Sequence, residues 1–283
     1  VLFPLSPVLD SLSCRLVRFP PFSWLGMTSF IEARPGPAFD NEANPFGVSV
    51  IIPAQNEAGN IRSIFERMPR MGKNTELIFV EGGSSDGTAE EIMNQAAAHP
   101  EFHCVLLHQE DCGKWNAVRQ GFAAAGEEIL MILDADLTVA PEDLPHFYRV
   151  MVRGSTRFIN GVRLVYPMEK NAMPFLNFIG NSIFSILFSW VCGQRVRDTL
   201  CGTKVLWKKD YAIMTGMPGH IDSYDSFGDF TLLFGAVRMG IQVIDLPVRY
   251  HRRTYGKTKI RRWKHGFQLL WMMFRAIFRL KFY

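Results

Sequence analysis

From Gly47 onward, short apolar runs alternate with segments whose apolar positions recur every three or four residues. Val48-Ser49-Val50-Ile51-Ile52-Pro53 is a nearly continuous apolar run, as a strand covered on both faces requires. Ile61, Ile64, Phe65 and Met68 then recur at helical spacing and predict a helix over 57–68. The rhythm repeats, with strands predicted over 76–80, 102–107 and 128–133 and helices over 88–98 and 115–125. The last of these places Ala117, Val118, Gly121 and Phe122 on one face. Strand–helix alternation of this kind predicts an α/β fold, a mostly parallel central sheet with helices on both faces. Ligands of such sheets sit at the carboxyl ends of the strands. Each predicted strand runs into a polar cluster there: Gln55-Asn56-Glu57, then 81–86, 108–114 and 134–138.

The second half is less regular. Residues 171–194 carry no charge, a stretch long enough to cross a bilayer at about 1.5 Å per residue. Asn177, Asn181 and several serines argue against that, and a single span would separate the motifs before it from those after it. The segment is therefore expected in the membrane interface or in the core. A helix is predicted over 231–238 and a strand over 242–247. Between 263 and 280, Trp263, Phe267, Leu270, Trp271, Phe274, Ile277 and Phe278 form an apolar face opposite Lys264, Gln268, Arg275 and Arg279. That pattern predicts an amphipathic C-terminal helix at a membrane interface, with a core-packed helix as the alternative. Residues 1–46 are rich in proline and lack clean periodicity, so they read as an extension and linker. The chain thus divides into 1–46, a main domain over 47–262 and a basic helix over 263–283.

Composition narrows the class. At 283 residues, 48% hydrophobic and 20% charged, the chain is neither disordered nor of low complexity. Its formal charge of +4 hides an asymmetry: residues 246–283 hold eleven Lys and Arg and no acid, leaving 20 basic against 27 acidic side chains elsewhere. A basic end on an acidic body suggests an anionic partner, whether phosphate ligand, anionic lipid or nucleic acid, with a solvated basic tail as the alternative. The aromatic residues there follow a lipid-type amphipathic pattern, so no nucleic acid is expected. Five cysteines, odd in number and without a C-x-x-C pair, support neither a zinc site nor a disulfide framework and read as reduced cytosolic cysteines. Residues 1–14, interrupted by Pro4, Pro7 and Asp10, do not read as a secretory signal.

The chemistry concentrates at two strand ends. Asp134-Ala135-Asp136 follows a buried strand, and two carboxylates so close repel each other unless a cation lies between them. Magnesium is held by one or two carboxylates together with substrate phosphates, so the pair suggests a metal-bridged diphosphate; an ordinary acidic loop is the alternative. Glu81-Gly82-Gly83-Ser84-Ser85-Asp86-Gly87-Thr88 joins a strand to a helix. Its glycines permit close backbone approach, and the helix start offers N–H groups to oxyanions. Ser85 or Asp86 as a plain helix cap explains the segment equally well.

These residues, with Val50-Ile51-Ile52-Pro53-Ala54-Gln55-Asn56-Glu57 before them, resemble the successive signatures of family-2 glycosyltransferases with the GT-A fold. Gly161-Val162-Arg163 resembles that family's Gly-Ser-Arg, and Asp198-Thr199-Leu200-Cys201-Gly202-Thr203-Lys204 its Asp-x-x-Ser-Gly-Phe-Arg. Arg253-Thr254-Tyr255-Gly256-Lys257-Thr258-Lys259 resembles the Arg-x-Tyr-Gly-x-Ser-Lys of the dolichol-phosphate mannosyltransferase branch. The resemblance implies that Pro53, Asn56, Glu57, Glu81 and Ser84 line the pocket of a nucleotide-sugar donor. It implies further that Asp134, Ala135 and Asp136 meet the donor diphosphate, with Asp134 and Asp136 holding Mg2+ or Mn2+. Arg253 and Lys259 would close over phosphate, and Arg163 and Lys204 would lie near the acceptor phosphate or the moving sugar. Lys114, in a Gly-Lys-x-x-Ala turn, would contact donor phosphate or simply be solvated. Asp229 stands where relatives with hydroxyl acceptors place a base, and caps a helix in the alternative reading. Glu81-Gly82 replaces a common pair of Asp, Gln55 a frequent Tyr, and Thr138 a Gln or Ser, which leaves the base of the donor open.

The expectation is an inverting, metal-dependent transfer of a hexose from a nucleotide-sugar to a polyprenyl phosphate. The enzyme would be cytoplasmic, attached peripherally to the inner face of the membrane at an anionic surface. A sugar or lipid hydroxyl acceptor is the first rival, and a non-catalytic module binding nucleotide-sugar or membrane the second.

Overall fold

The computed structural model of the chain describes residues 45–166, 175–217, 228–256, 269–274 and 277, with backbone alone for 175–179. All of them fall in the second of two units, Asp40–Tyr283. Strand β1 (Val48–Ala54) leads through helix α1 (Ala58–Arg67) to β2 (Thr75–Glu81), and α2 (Thr88–Ala98) leads to β3 (His103–His108). Helix α3 (Lys114–Ala124) then returns the chain to β4 (Ile129–Ile132). All seven residues of β2 are buried, so both faces of the sheet are covered there, as its apolar run Leu77-Ile78-Phe79-Val80 demands. Helix α3 lies close on the sheet because Gly121 faces it; a β-carbon there would come within 2.6 Å of Cγ2 of Ile51.

After β4 come α4 (Leu144–Val152), β5 (Phe158–Val162), α5 (Phe175–Cys192), β6 (Lys204–Trp207), α6 (Lys208–Gly216), α7 (Asp229–Arg238) and β7 (Val243–Pro247). One seven-stranded sheet runs in the order β3-β2-β1-β4-β6-β5-β7. Only β6 is antiparallel to its neighbours, β4 and β5. The mostly parallel sheet predicted from the alternation is the sheet found. Of its seven strands, β5 and β6 are not among those predicted from the sequence, and β6 is legible only once its pairing with Met131 and Ile159 is seen. The predicted ends of the other elements differ by a residue or two, where fraying leaves boundaries soft.

The uncharged segment forms α5, 18 residues long, and no helix among the described residues is long and apolar enough to cross a membrane. Phe188 of α5 packs on Phe230 and Phe234 of α7, with ring centroids 5.3 and 4.8 Å apart. Ile183, Leu187 and Trp190, one face of the same helix, are exposed. Residues 269–274 are helical, and Leu269, Met272 and Met273 join the same apolar cluster. The face named from the sequence points elsewhere: Leu270, Trp271 and Phe274 are 51%, 46% and 60% exposed. The sequence thus named the outward arc of the described turns and passed over the core-facing arc of Leu269, Met272 and Met273.

Candidate functional site

The carboxyl ends of β1, β2 and β4 converge. Beyond β4, Leu137 takes a left-handed conformation with φ of 53°, and Asp136 Oδ1 accepts the Thr138 amide at 3.1 Å and its hydroxyl at 2.8 Å. This turn presents Asp134 and Asp136 on either side of buried Ala135. Each carboxylate faces a cation. Lys114, the first residue of α3, pairs with Asp134, and Arg253 pairs with Asp136. Nη1 of Arg253 also donates to Oε1 of Glu57 at 3.1 Å, so one guanidinium ties the end of β1 to the end of β4. Burial alone lowers the pKa of Lys114, but Asp134, Asp229 and Asp136 outweigh it and hold the ammonium above its ordinary value. Burial likewise raises Asp134, and Lys114, Arg163 and Arg253 overcome it, leaving the carboxyl below its usual range.

The loops after β1 and β2 are laced together. Asn56, with φ of 57°, accepts the Ser85 amide on Oδ1 at 2.9 Å, and its own amide donates to Ser84 Oγ at 2.9 Å. Asp86 accepts the amides of Ala58 and Thr88, both at 3.1 Å, which joins the starts of α1 and α2; the N-cap position of α2 itself is Gly87. The Tyr255 hydroxyl donates to Asp86 at 3.2 Å. Glu81 is buried and accepts the Ser84 amide, with His108 Nδ1 at 3.4 Å. Burial pushes its pKa up, but the hydrogen bonds from Ser84, Gly83 and His108 prevail and hold it down. Pro53 lies at the edge of this loop pair, partly exposed.

A second cluster lies where β5 ends and β6 begins. Arg163 donates to Asp198 from Nε at 2.7 Å and Nη2 at 2.9 Å, and its guanidinium lies 5.1 Å from the centroid of the Tyr250 ring. Asp198 is fully buried, a cost that raises its pKa, yet Arg163 and Asn181 bring it down to about 2. Lys204 is also fully buried, donating to Asn160 Oδ1 at 3.2 Å and the Cys201 carbonyl at 2.6 Å, with Asp229 at 3.0 Å. Asp229 is the first residue of α7, and Gly228 occupies the N-cap position. Gly202 passes so close to the first cluster that a β-carbon on it would overlap the Asp134 carboxylate and the Lys114 ammonium.

The structure therefore brings Glu57, Lys114, Asp134, Asp136 and Arg253 together, and the second cluster acts on them through the charge of Asp229 on Lys114 and of Arg163 on Asp134. Lys204 is enclosed by protein groups and presents no face to solvent. Lys259 lies outside the described residues. Sequence reasoning gave no role to Asp198, named only as the start of a motif, or to Asn181, named only as a polar residue in an uncharged run. Among the described residues no group of three or more His, Cys, Asp and Glu is arranged for a metal ion. The two carboxylates at the end of β4 nonetheless fit a cation of the magnesium type, whose remaining positions are filled by water and substrate phosphate.

The model of the family described as Glycosyl transferase family 2 matches residues 49–212. Undecaprenyl-phosphate 4-deoxy-4-formamido-L-arabinose transferase of Pectobacterium carotovorum is 36% identical over 112 residues, 38% of this chain and 34% of that protein. Dolichol-phosphate mannosyltransferase of Saccharomyces cerevisiae is 38% identical over 106 residues, 35% of this chain and 39% of that protein. The chain thus spans well under two thirds of these relatives. The solved mannosyltransferase PcManGT of Pyrobaculum calidifontis, in complex with GDP-Man and Mn2+, superposes with a TM-score of 0.61 over 96% of this chain and 74% of its own, at 20% identity. At that identity the likeness concerns the fold.

Proposed function

The chain belongs to glycosyl transferase family 2, and on that premise we propose that it moves a hexose from a nucleotide-sugar to a polyprenyl phosphate, with inversion and with Mg2+ or Mn2+. Its fold is the GT-A fold. The observation that carries the reading is the alternation of charge around Asp134 and Asp136, each carboxylate paired with a cation at the end of β4. Such a frame suits a donor diphosphate, whose oxygens take up the cations while the carboxylates turn to a metal. When bound, the metal neutralises charge on the departing diphosphate.

In this reading Pro53, Asn56, Glu57, Glu81 and Ser84 line the donor pocket, and Lys114 and Arg253 meet the donor phosphates. Arg163 orients the acceptor phosphate. One of the acceptor's oxygens bonds to the anomeric carbon as the bond to the diphosphate oxygen breaks. That oxygen is already anionic at neutral pH, so no side chain needs to remove a proton. Relatives named for undecaprenyl-phosphate and dolichol-phosphate transfer support the acceptor class. A hydroxyl acceptor with Asp229 as base is the second reading, favoured by the field of Asp229 on Lys114 at the same site.

Residues 47–262 form the catalytic domain of this proposal and 263–283 an interface helix on the cytoplasmic side. Exposed Leu270, Trp271 and Phe274, together with the eleven basic residues after Asp245, support an anionic lipid surface as the place of action. The test is incubation with membranes and a panel of labelled nucleotide-sugars, with and without EDTA. The reading expects metal-dependent entry of label into a mild-acid-labile lipid; label in an acid-stable product points to a hydroxyl acceptor.

A further inference from the structure

Helix α5 carries its polar side chains on one line. Asn181, Ser185 and Ser189 recur at intervals of four and fall on a single face. Ser189 Oγ donates to the Val196 carbonyl at 3.1 Å and accepts the Val196 amide at 2.9 Å. Asn181, 2% exposed, donates from Nδ2 to Asp198 Oδ1 at 2.7 Å, and Thr199 Oγ1 donates to its Oδ1 at 3.4 Å. Asn181 and Ser189 are thus bonded to 196–199, the segment that holds Asp198, while the buried Ser185 hydroxyl between them bonds to nothing among the described residues. At about 100° per residue, Ile183, Leu187 and Trp190 fall on the opposite side of the helix, and they are exposed.

Asp198 is the hub. Besides Asn181 it accepts the amides of Arg163 at 3.0 Å and Leu200 at 3.1 Å, and both prongs of the Arg163 guanidinium. A carboxylate so saturated has no freedom to turn by itself. Displacement of α5 relative to the sheet either breaks the Asn181 bond or carries Asp198 with it, and the planar two-pronged bond passes that movement to Arg163. We propose that Asn181 is a positioning residue, which ties the lipid-facing helix α5 to Asp198 and thereby sets where Arg163 meets the acceptor phosphate. The inference rests on the polyprenyl-phosphate reading. It accounts for an asparagine that a helix evolved only for membrane contact or core packing does not need.

Two measurements on the full chain test it, with Asn181→Leu as the near-isosteric variant and Asn181→Ser as the milder one should the first fail to fold. The first compares a long polyprenyl phosphate in phosphatidylglycerol vesicles with a short water-soluble prenyl phosphate. Asn181→Leu is expected to raise KM for the vesicle acceptor about tenfold, within the ordinary range of coupling between sites. Donor KM, kcat and the short acceptor should stay within about twofold on the same scale. The second follows hydrogen exchange of the Arg163 and Leu200 amides when acceptor-free phosphatidylglycerol vesicles are added. Vesicles should slow both amides in the wild type and not in Asn181→Leu. An unchanged KM, an equal loss with both acceptors, or equal slowing in both proteins overturns the proposal. A wild type that transfers to neither acceptor but shows the vesicle-linked slowing overturns the acceptor reading and leaves the tie between α5 and Arg163 standing.

Discussion

The carboxylate of Asp229 lies 3.0 Å from the ammonium of Lys204, a lysine with no solvent exposure. A phosphate acceptor brings its own anionic oxygen and needs no base. Asp229→Asn should therefore leave transfer to a phosphate acceptor nearly intact per folded molecule, whereas loss of a true base costs about 10²–10⁴-fold. The substitution removes one partner of a buried pair and should lower stability by about 3 kcal/mol. Transfer rate beside a thermal melt followed by far-UV circular dichroism separates the two effects. A folded, stable and inactive variant promotes the hydroxyl-acceptor reading.

Gly202 leads to a sharper expectation, because space is what matters there. A methyl group on it meets Asp134 and Lys114 together and must push the ion pair apart. Displacement of reacting groups on the order of 1 Å costs about 10²-fold. Gly202→Ala should lose transfer on that scale while its far-UV spectrum stays that of the wild type. Full activity in this variant separates Asp134 and Lys114 from the chemistry.

How much of this was legible beforehand depends on where the partners lie. The strands and helices from 48 to 133 show in the sequence because their apolar spacing is local, and α2 ends where its alanines do, at Ala98. The Asp134/Asp136 pair was legible for the same reason. Lys204 was read as facing a ligand, since a cation in a motif invites that reading. Its enclosure depends on Asn160, brought opposite it by the antiparallel β5–β6 pairing, on Asp229 of α7 and on the Cys201 carbonyl three residues before it. Asn181 was noticed only as a flaw in an apolar run; its partner Asp198 sits across a loop whose path no periodicity records.

Acid stability offers an independent check on the Arg163–Asp198 cluster. Asp198 has its pKa lowered from 3.8 to about 2 in the folded protein. The stabilisation is fully present above the unfolded value and disappears as pH falls through the folded one. It amounts to about 2 kcal/mol. Denaturant midpoints at pH 5 and pH 2 should show the wild type losing about that much more stability than Asp198→Asn, which has no carboxyl to titrate there. Equal losses in the two proteins remove Asp198 from the account of acid sensitivity.

Vesicle binding tests the surface reading of the last described helix. Leu270 and Phe274 are largely exposed, and burying such a side chain stabilises by about 1.5–3 kcal/mol. Leu270→Ser and Phe274→Ser should each weaken cosedimentation with phosphatidylglycerol vesicles by about tenfold or more. High salt should weaken it too, since each basic residue near an anionic surface contributes about 1 kcal/mol that salt screens. Binding that ignores both changes places the contact elsewhere.

The most direct measurement takes the purified protein, its donor nucleotide-sugar and a divalent cation, and offers vesicles carrying either a polyprenyl phosphate or the corresponding polyprenol. With the charge of the acceptor supplied by its own phosphate, and Arg163 proposed to receive it, transfer should proceed to the phosphate and stop on addition of EDTA. The polyprenol should take no sugar. Transfer to the polyprenol at a comparable rate, or undiminished transfer to the phosphate in excess EDTA, contradicts the account.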